Sequence, residues 1–196
     1  MKKAFLLILM AFMTPRMCLA GSDISNQLLR VMKTYKVPVV GYAIIDHYKI
    51  ADAKTVSLNK DLKTSKNTLF QAASISKSVT AYAALSLVDK NKIQLDSPAN
   101  EYLKLWKIPT NQFTKHNPVN VINLMDMTSG VSVSGFAGYK NGVKMPSNIE
   151  LLNGVAPANN LPIRIFYVPG SKYFYSGGAF QIVQEIISHV SKKSFV

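Results

Sequence analysis

The chain has 196 residues, a net charge of +13 and a single cysteine, Cys18. If the first twenty residues are removed, the remaining chain has no cysteine, which excludes disulfides and cysteine-based metal sites or nucleophiles. The three histidines lie far apart in the sequence, at positions 47, 116 and 189. We therefore predict neither a metal centre nor a cofactor.

The positive charge comes mainly from lysine, with 20 lysines and three arginines spread along the chain. Proteins that read nucleic acids favour clustered arginine together with aromatic stacking residues, so we expect no nucleic-acid partner. Attraction to anionic cell-wall polymers or membrane surfaces is one explanation of the charge. Solubility alone is the other, and the sequence does not choose between them.

Residues 1–20 have the layout of a secretory signal peptide. Two lysines precede an apolar run of ten residues at 4–13, and Ala20 is a small residue suited to cleavage. Ten apolar residues are too few to span a bilayer, which needs about 20. We predict export, to the periplasm or beyond the cell, without stable membrane insertion after cleavage. An uncleaved N-terminal anchor is the alternative.

The predicted elements after residue 20 begin with a helix over 24–35, where apolar residues recur at helical spacing. A buried strand is predicted over 39–45, and a turn at Asp46-His47 leads to a second strand near 48–58. Residues 75–90 are apolar on most faces, which predicts a helix buried inside a domain. Further helical segments are predicted at 119–127, closed by Gly130, at 149–155 and at 179–190. Two strands with several helices favour an α+β fold, although two strands alone are marginally stable.

The pattern Ser-x-x-Lys occurs at Ser57 and at Ser74, about as often as chance predicts, so the context has to decide. Ser74 precedes the apolar helix, and Lys77, one turn later, can reach the Ser74 hydroxyl. A lysine in the first helical turn is electrostatically unfavourable. In a catalytic site, however, its neutral amine can accept a serine proton. The alternative is that Ser74 caps the helix and Lys77 extends into solvent.

Tyr175 opens the sequence Tyr-Ser-Gly-Gly just before the last predicted helix. A tyrosine on such a turn could project its phenol into a cleft and relay a proton. The alternative is a surface aromatic residue on a glycine-rich turn.

Three segments together resemble the serine β-lactamase-related family, most closely the class C β-lactamases, DD-carboxypeptidases and related esterases. They are FQAASISKSVTA (70–81), NLMDMTSGV (123–131) and PGSKYFYSGGAFQIVQ (169–184), in this order. The resemblance runs from about residue 36 to the end of the sequence. It implies an α/β sandwich of the β-lactamase/transpeptidase type, with an antiparallel sheet flanked by helices and a mostly helical subdomain.

The resemblance also implies roles for three residues. Ser74 is implied to be the acylated nucleophile, Lys77 its proton acceptor, and Tyr175 the group that moves protons to and from the leaving group. The implied reaction is acyl transfer from a β-lactam, a D-Ala-D-Ala peptide or a small ester, with hydrolysis of the acyl-enzyme by water. Gly177 stands where the family usually has asparagine, and Met127 where it usually has histidine.

A third motif of the family, Lys-Thr/Ser-Gly or His-x-Gly on a strand downstream of the tyrosine, has no counterpart after Tyr175. We therefore expect residues 21–196 to be the N-terminal part of the domain, with the C-terminal strands missing and the sheet incomplete. That strand supplies one of two oxyanion-hole donors in the family, and loss of one donor costs about 100- to 1,000-fold in rate. Activity is then expected to need a complementing C-terminal half. The alternatives are an inactive gene remnant and a non-catalytic cell-wall-binding protein.

Overall fold

The computed structural model describes residues 21–195, so the signal peptide predicted over 1–20 lies outside the described residues. The chain divides between Gln71 and Ala72 into two compact units. No helix within the described range is long and apolar enough to cross a membrane.

The first unit contains a helix and a β-hairpin where the sequence predicts them. The prediction that the strand over 39–45 is buried is wrong: none of its residues is buried, and Ile45 is 70% exposed, because the sheet of the described residues has two strands. Helix α1 spans Gly21–Tyr35, and strands β1 (Val39–Asp46) and β2 (Lys49–Ser57) pair antiparallel. The turn lies at His47 and Tyr48 rather than at Asp46-His47, and both residues have positive φ, 45° and 61°. Left-handed values at two successive residues are typical of the two-residue hairpin turns that match the twist of the strands.

The second unit is mainly helical. Its helices are α2 (Ser76–Asp89), α3 (Val121–Met125), α4 (Asn148–Asn153) and α5 (Gly177–Ser191), with 3₁₀ turns at Ala73–Ile75 and Ala99–Glu101. The three later helices fall where the sequence predicts them.

The prediction that Gly130 closes the segment 119–127 is wrong, because α3 ends earlier. The chain leaves the helix through Asp126, and Met127 adopts a left-handed φ of 66°. Helix α4 behaves as its sequence suggests: the side chains of Ser147 and Glu150 form a capping box, and Gly154 ends the helix in the left-handed conformation.

The core of the second unit is built around α5, which packs against α2, α3 and α4. Its apolar stripe meets aliphatic side chains from α3, from α4 and from two extended segments near residues 131 and 164. Fully buried members of this core include Leu124, Val131, Leu152, Ile163, Ile182, Val183 and Ile186. Each side chain of this kind contributes about 1.5–3 kcal/mol through burial. Because α5 supplies three of them and packs against the three other helices of the unit, it contributes strongly to the stability of the unit.

Helix α2 is not buried on most faces, contrary to the prediction from its composition. Ala84 is its only buried residue, and α5 covers one side of the helix. Four large apolar side chains, one at the N-cap and three on the other side of the helix, are exposed, and we refer to them as the α2 apolar face: Ile75 (50%), Val79 (67%), Tyr82 (74%) and Leu85 (45%). The composition of a helix therefore indicates which faces can be buried, but not whether another element covers them.

Candidate active site

Ser74 lies in the 3₁₀ turn Ala73–Ile75, immediately before α2. Ile75 occupies the N-cap position of α2, and no side chain caps the helix. The alternative in which the Ser74 hydroxyl caps the helix is therefore wrong. Ala73, directly before the serine, has a φ of 46°, a left-handed value that is unfavourable for a residue with a β-carbon.

The structure brings together all three residues implied to be catalytic. The Tyr175 hydroxyl donates a hydrogen bond to Ser74 Oγ at 2.7 Å, and Lys77 Nζ donates to the same oxygen at 3.2 Å. The Lys77 ammonium also lies 5.0 Å from the centroid of the Tyr175 ring. A nucleophile and its base need such hydrogen-bond distances, so this arrangement meets the geometric requirement for an activated serine.

The neighbours of Tyr175 alter the acidity of its phenol. A hydrogen bond from Lys77, and after it one with Ser74, holds the pKa of the Tyr175 phenol below its ordinary value, while partial burial opposes the shift. The side chain is 38% exposed, so water screens these interactions in part. The ion pairs between described residues join His47 with Asp46 and Lys54 with Asp52, so Lys77 has no carboxylate partner there.

Tyr175 is held in place by its two neighbours in the chain. The Phe174 N–H donates to the Met127 carbonyl oxygen at 2.7 Å. Ser176 is completely buried; its Oγ donates to the Ser132 carbonyl oxygen at 2.9 Å and accepts from the Ala179 N–H at 3.0 Å. Ser176 is therefore the N-cap of α5. Ser176 is not among the predicted site residues, although a serine directly before a helical pattern is a cap signal.

Gly177 replaces the family's asparagine at a point where there is little room for a side chain. A β-carbon at this position would lie 3.2 Å both from the Phe136 ring and from the Ser134 carbonyl oxygen. Phe136 also lines a cavity of about 200 Å³, together with Lys77, Thr80 and Phe180. Phe136 therefore occupies the space that a side chain at position 177 would need, and no sequence signal identified it.

Among residues 21–195, no group of three or more histidine, cysteine or acidic side chains lies close enough to hold a metal ion. The cluster brings the hydroxyl of Ser74, the amine of Lys77 and the phenol of Tyr175 into contact. Such an arrangement is suited to proton transfer at the serine oxygen.

Solved structures place this fold among penicillin-binding proteins, β-lactamases and related hydrolases. An octameric penicillin-binding protein homologue from Pyrococcus abyssi is 23% identical, with a TM-score of 0.65 over 88% of this chain and 40% of its own. A β-lactamase/D-alanine carboxypeptidase from Yersinia pestis is 16% identical, with a TM-score of 0.64 over 89% and 50%. EstCE1, a hydrolase with promiscuous acyltransferase activity, is 20% identical, with a TM-score of 0.64 over 88% and 46%.

The fold is thus β-lactamase/transpeptidase-like, with a two-stranded antiparallel sheet, as the resemblance implied. The family model described as Beta-lactamase matches residues 25–196, so the chain belongs to the Beta-lactamase family. No curated protein matches the sequence. The chain spans half or less of the length of the three structures named above.

Proposed function

We propose that this chain is the N-terminal part of a serine hydrolase that acts through an acyl-enzyme. One observation carries the proposal: Ser74 Oγ accepts hydrogen bonds from both Tyr175 and Lys77, at 2.7 and 3.2 Å. The proposed substrates are amides or esters, namely a β-lactam, a D-Ala-D-Ala peptide or a small ester. We also propose that the protein is exported, on the basis of the signal-peptide pattern in residues 1–20.

In the proposed reaction, Ser74 Oγ forms a bond to the substrate carbonyl carbon while its proton passes to the neutral amine of Lys77. The tetrahedral intermediate collapses with cleavage of the bond to the leaving nitrogen or oxygen. Tyr175, in contact with Ser74 and Lys77, passes a proton to that leaving atom. Water then attacks the acyl-enzyme, loses a proton to the same groups and regenerates the Ser74 hydroxyl. Positioned proton transfer of this kind contributes about 100- to 10,000-fold in rate.

We further propose that full activity needs a complementing segment that supplies the remaining strands of the fold. The α2 apolar face supports this, because an exposed row of large apolar side chains is typical of a surface that another element covers. The two-stranded sheet supports it as well, since two strands are marginal alone. The Ser74 backbone N–H would be one oxyanion donor. Without the second, the expected rate is about 100- to 1,000-fold lower.

A non-catalytic cell-wall-binding protein is the second candidate, and the net charge is the observation that favours it. Removal of residues 1–20, which contain three basic residues, would lower the charge from +13 to +10. That charge would attract anionic wall polymers without any need for Ser74. The third candidate is an inactive gene remnant, which would neither react with a covalent probe of the serine nor bind to cell wall.

Covalent labelling tests the proposal. A fluorescent penicillin and a fluorophosphonate probe are incubated with the wild type, with Ser74→Ala and with Ser78→Ala, an exposed serine one turn further along α2 that serves as the matched control. We expect label on the wild type and on Ser78→Ala, and none on Ser74→Ala. Failure of the folded wild type to label, with folding checked by circular dichroism, overturns the enzyme proposal. Binding to purified cell wall that persists in Ser74→Ala would favour the second candidate.

A further inference from the structure

A second, larger cavity of about 700 Å³ lies in the helical unit. Its volume falls in the range of small-molecule sites, about 300–1,000 Å³. Three phenylalanines contribute to its walls, Phe136, Phe166 and Phe174, and so does Arg164. Phe136 also lines the smaller cavity that contains Lys77, so one aromatic ring borders both spaces.

The orientation of Arg164 follows from the pairing of two extended segments. The Ser132 N–H donates to the Arg164 carbonyl oxygen at 2.8 Å, and the Phe166 N–H donates to the Gly130 carbonyl oxygen at 2.9 Å. Side chains alternate between the two faces of extended backbone. The isoleucines at 163 and 165 are buried in the core, whereas the side chains of Arg164 and Phe166 are exposed and line the cavity.

Hydrogen bonds between different segments of the chain hold the walls of this cavity in place. The Asn159 side-chain amide donates to the Gly138 carbonyl oxygen at 2.9 Å, and its backbone N–H donates to the Tyr139 hydroxyl at 3.1 Å. Asn160 donates to the Leu151 carbonyl oxygen at 2.8 Å. The loop that carries Phe136 is thus hydrogen-bonded to residues 159–160, which also line the cavity, and this favours a cavity that exists before any ligand enters.

Arg164 is the only charged residue among those that line the cavity. One guanidinium nitrogen donates to the adjacent Ile163 carbonyl oxygen at 2.9 Å, and no carboxylate from residues 21–195 forms an ion pair with it. The other donors of the guanidinium are free to bind a planar anion. Arginine presents its N–H groups in a fork that matches both oxygens of a carboxylate.

We propose that this cavity binds an apolar group that carries a carboxylate, such as an aryl or alkyl carboxylate. Arg164 pairs with the carboxylate, and Phe136, Phe166 and Phe174 pack against the apolar body. Because Phe136 also borders the cavity at Lys77, the site selects substrates whose acyl portion ends in a remote carboxylate. This last step rests on the proposed function, whereas binding of the carboxylate itself does not need Ser74.

A pair of probes that differ only in charge tests the proposal. Binding of 4-(trifluoromethyl)phenylacetate and of the neutral 4-(trifluoromethyl)phenylacetamide to the full chain is measured by ¹⁹F NMR titration. We expect the carboxylate to bind about 10- to 100-fold more tightly, as for a hydrogen bond to a charged group. In Arg164→Gln this preference should disappear, and in Arg164→Lys it should shrink, since the charge stays and the fork is lost.

Two controls separate this inference from the proposed hydrolase activity. Arg30→Gln, an exposed arginine on α1, should keep the preference for the carboxylate. Ser74→Ala should keep it too, so a failure of covalent labelling leaves the cavity proposal standing. Equal affinity of the wild type for both probes would overturn the proposal. No binding of either probe, or an unchanged preference in Arg164→Gln, would do the same.

Discussion

Gly178 should not tolerate even a methyl group, because its backbone lies against the segment that supports the candidate site. A β-carbon at this position would lie 2.6 Å from the Ser132 carbonyl oxygen and 2.7 Å from Ile163 Cδ1. Ordinary van der Waals contacts of a β-carbon begin near 3.4 Å, so the Ser132 carbonyl oxygen would have to move away by about 0.8 Å. We therefore predict that Gly178→Ala destabilises the helical unit.

The size of this effect follows from how firmly Ser132 is held. Its N–H donates to the Arg164 carbonyl oxygen at 2.8 Å, and its own carbonyl oxygen accepts from Ser176 Oγ at 2.9 Å. Forcing an extra carbon into a packed region of this kind costs about 1–3 kcal/mol. Real β-carbons essentially never approach another atom to 2.6 Å, so the cost should lie in the upper part of this range, at about 2–3 kcal/mol. Alanine gains up to about 1 kcal/mol over glycine inside a helix, which offsets a part of the cost. The net loss in free energy of unfolding should then be about 1–2 kcal/mol.

Urea unfolding followed by tryptophan fluorescence measures this loss. Trp106 is the only tryptophan, it is buried, and its indole N–H donates to Asn153 Oδ1 at 3.1 Å. If the free energy of unfolding falls by about 2 kcal/mol per molar urea, the urea concentration at the unfolding midpoint should fall by about 0.5–1 M. Gly135→Ala is the matched control, because a β-carbon there meets nothing within 4 Å. Equal midpoints for Gly178→Ala and the wild type, or an equally large shift in Gly135→Ala, would refute the reasoning.

Two further predictions concern the neighbours of the candidate nucleophile. Ser176→Ala removes the cap of α5 and the bond to the Ser132 carbonyl oxygen. It should cost about 1–2 kcal/mol in the same urea experiment. Ser171→Ala, at an exposed serine, should cost little, and similar losses in both would contradict the assigned role. The pKa of the Tyr175 phenol is lowered by Lys77. The phenolate should therefore form at a pH below about 10, the ordinary pKa of tyrosine. Since the pKa is lower in the folded than in the unfolded chain, the free energy of unfolding should increase as pH rises from the lowered pKa towards 10. The titration is measured as the absorbance near 295 nm of the wild type minus that of Tyr175→Phe, as a function of pH. If the same difference titrates at an unchanged pH in proteins that also carry Lys77→Met, lysine is ruled out as the cause of the lowered pKa.

The helices and the hairpin could be predicted from local patterns, because each depends mostly on the spacing of apolar residues and on turn residues near in sequence. The contact of Ser74 with Tyr175 could not be derived from spacing, and only the order of the three family segments pointed to it. The burial of α2 was predicted wrongly, because apolar composition does not reveal whether a covering element is present. The position of Phe136 against Gly177 was not predicted at all, since Phe136 lies in an irregular loop without a periodic pattern.

The hydrogen bond between Ser74 and Tyr175 joins residues 101 positions apart, and this separation has a consequence for how the site can fail. Every residue of the cluster belongs to the helical unit, and the contact exists only while α5 stays packed against α2. Closing so long a segment costs conformational entropy, which the core around α5 has to offset. Loss of the cluster and cooperative melting of this unit should therefore be a single event. A compound that bridges Ser74 and Tyr175 would then raise the melting temperature of the whole helical unit, in the way a cross-link would.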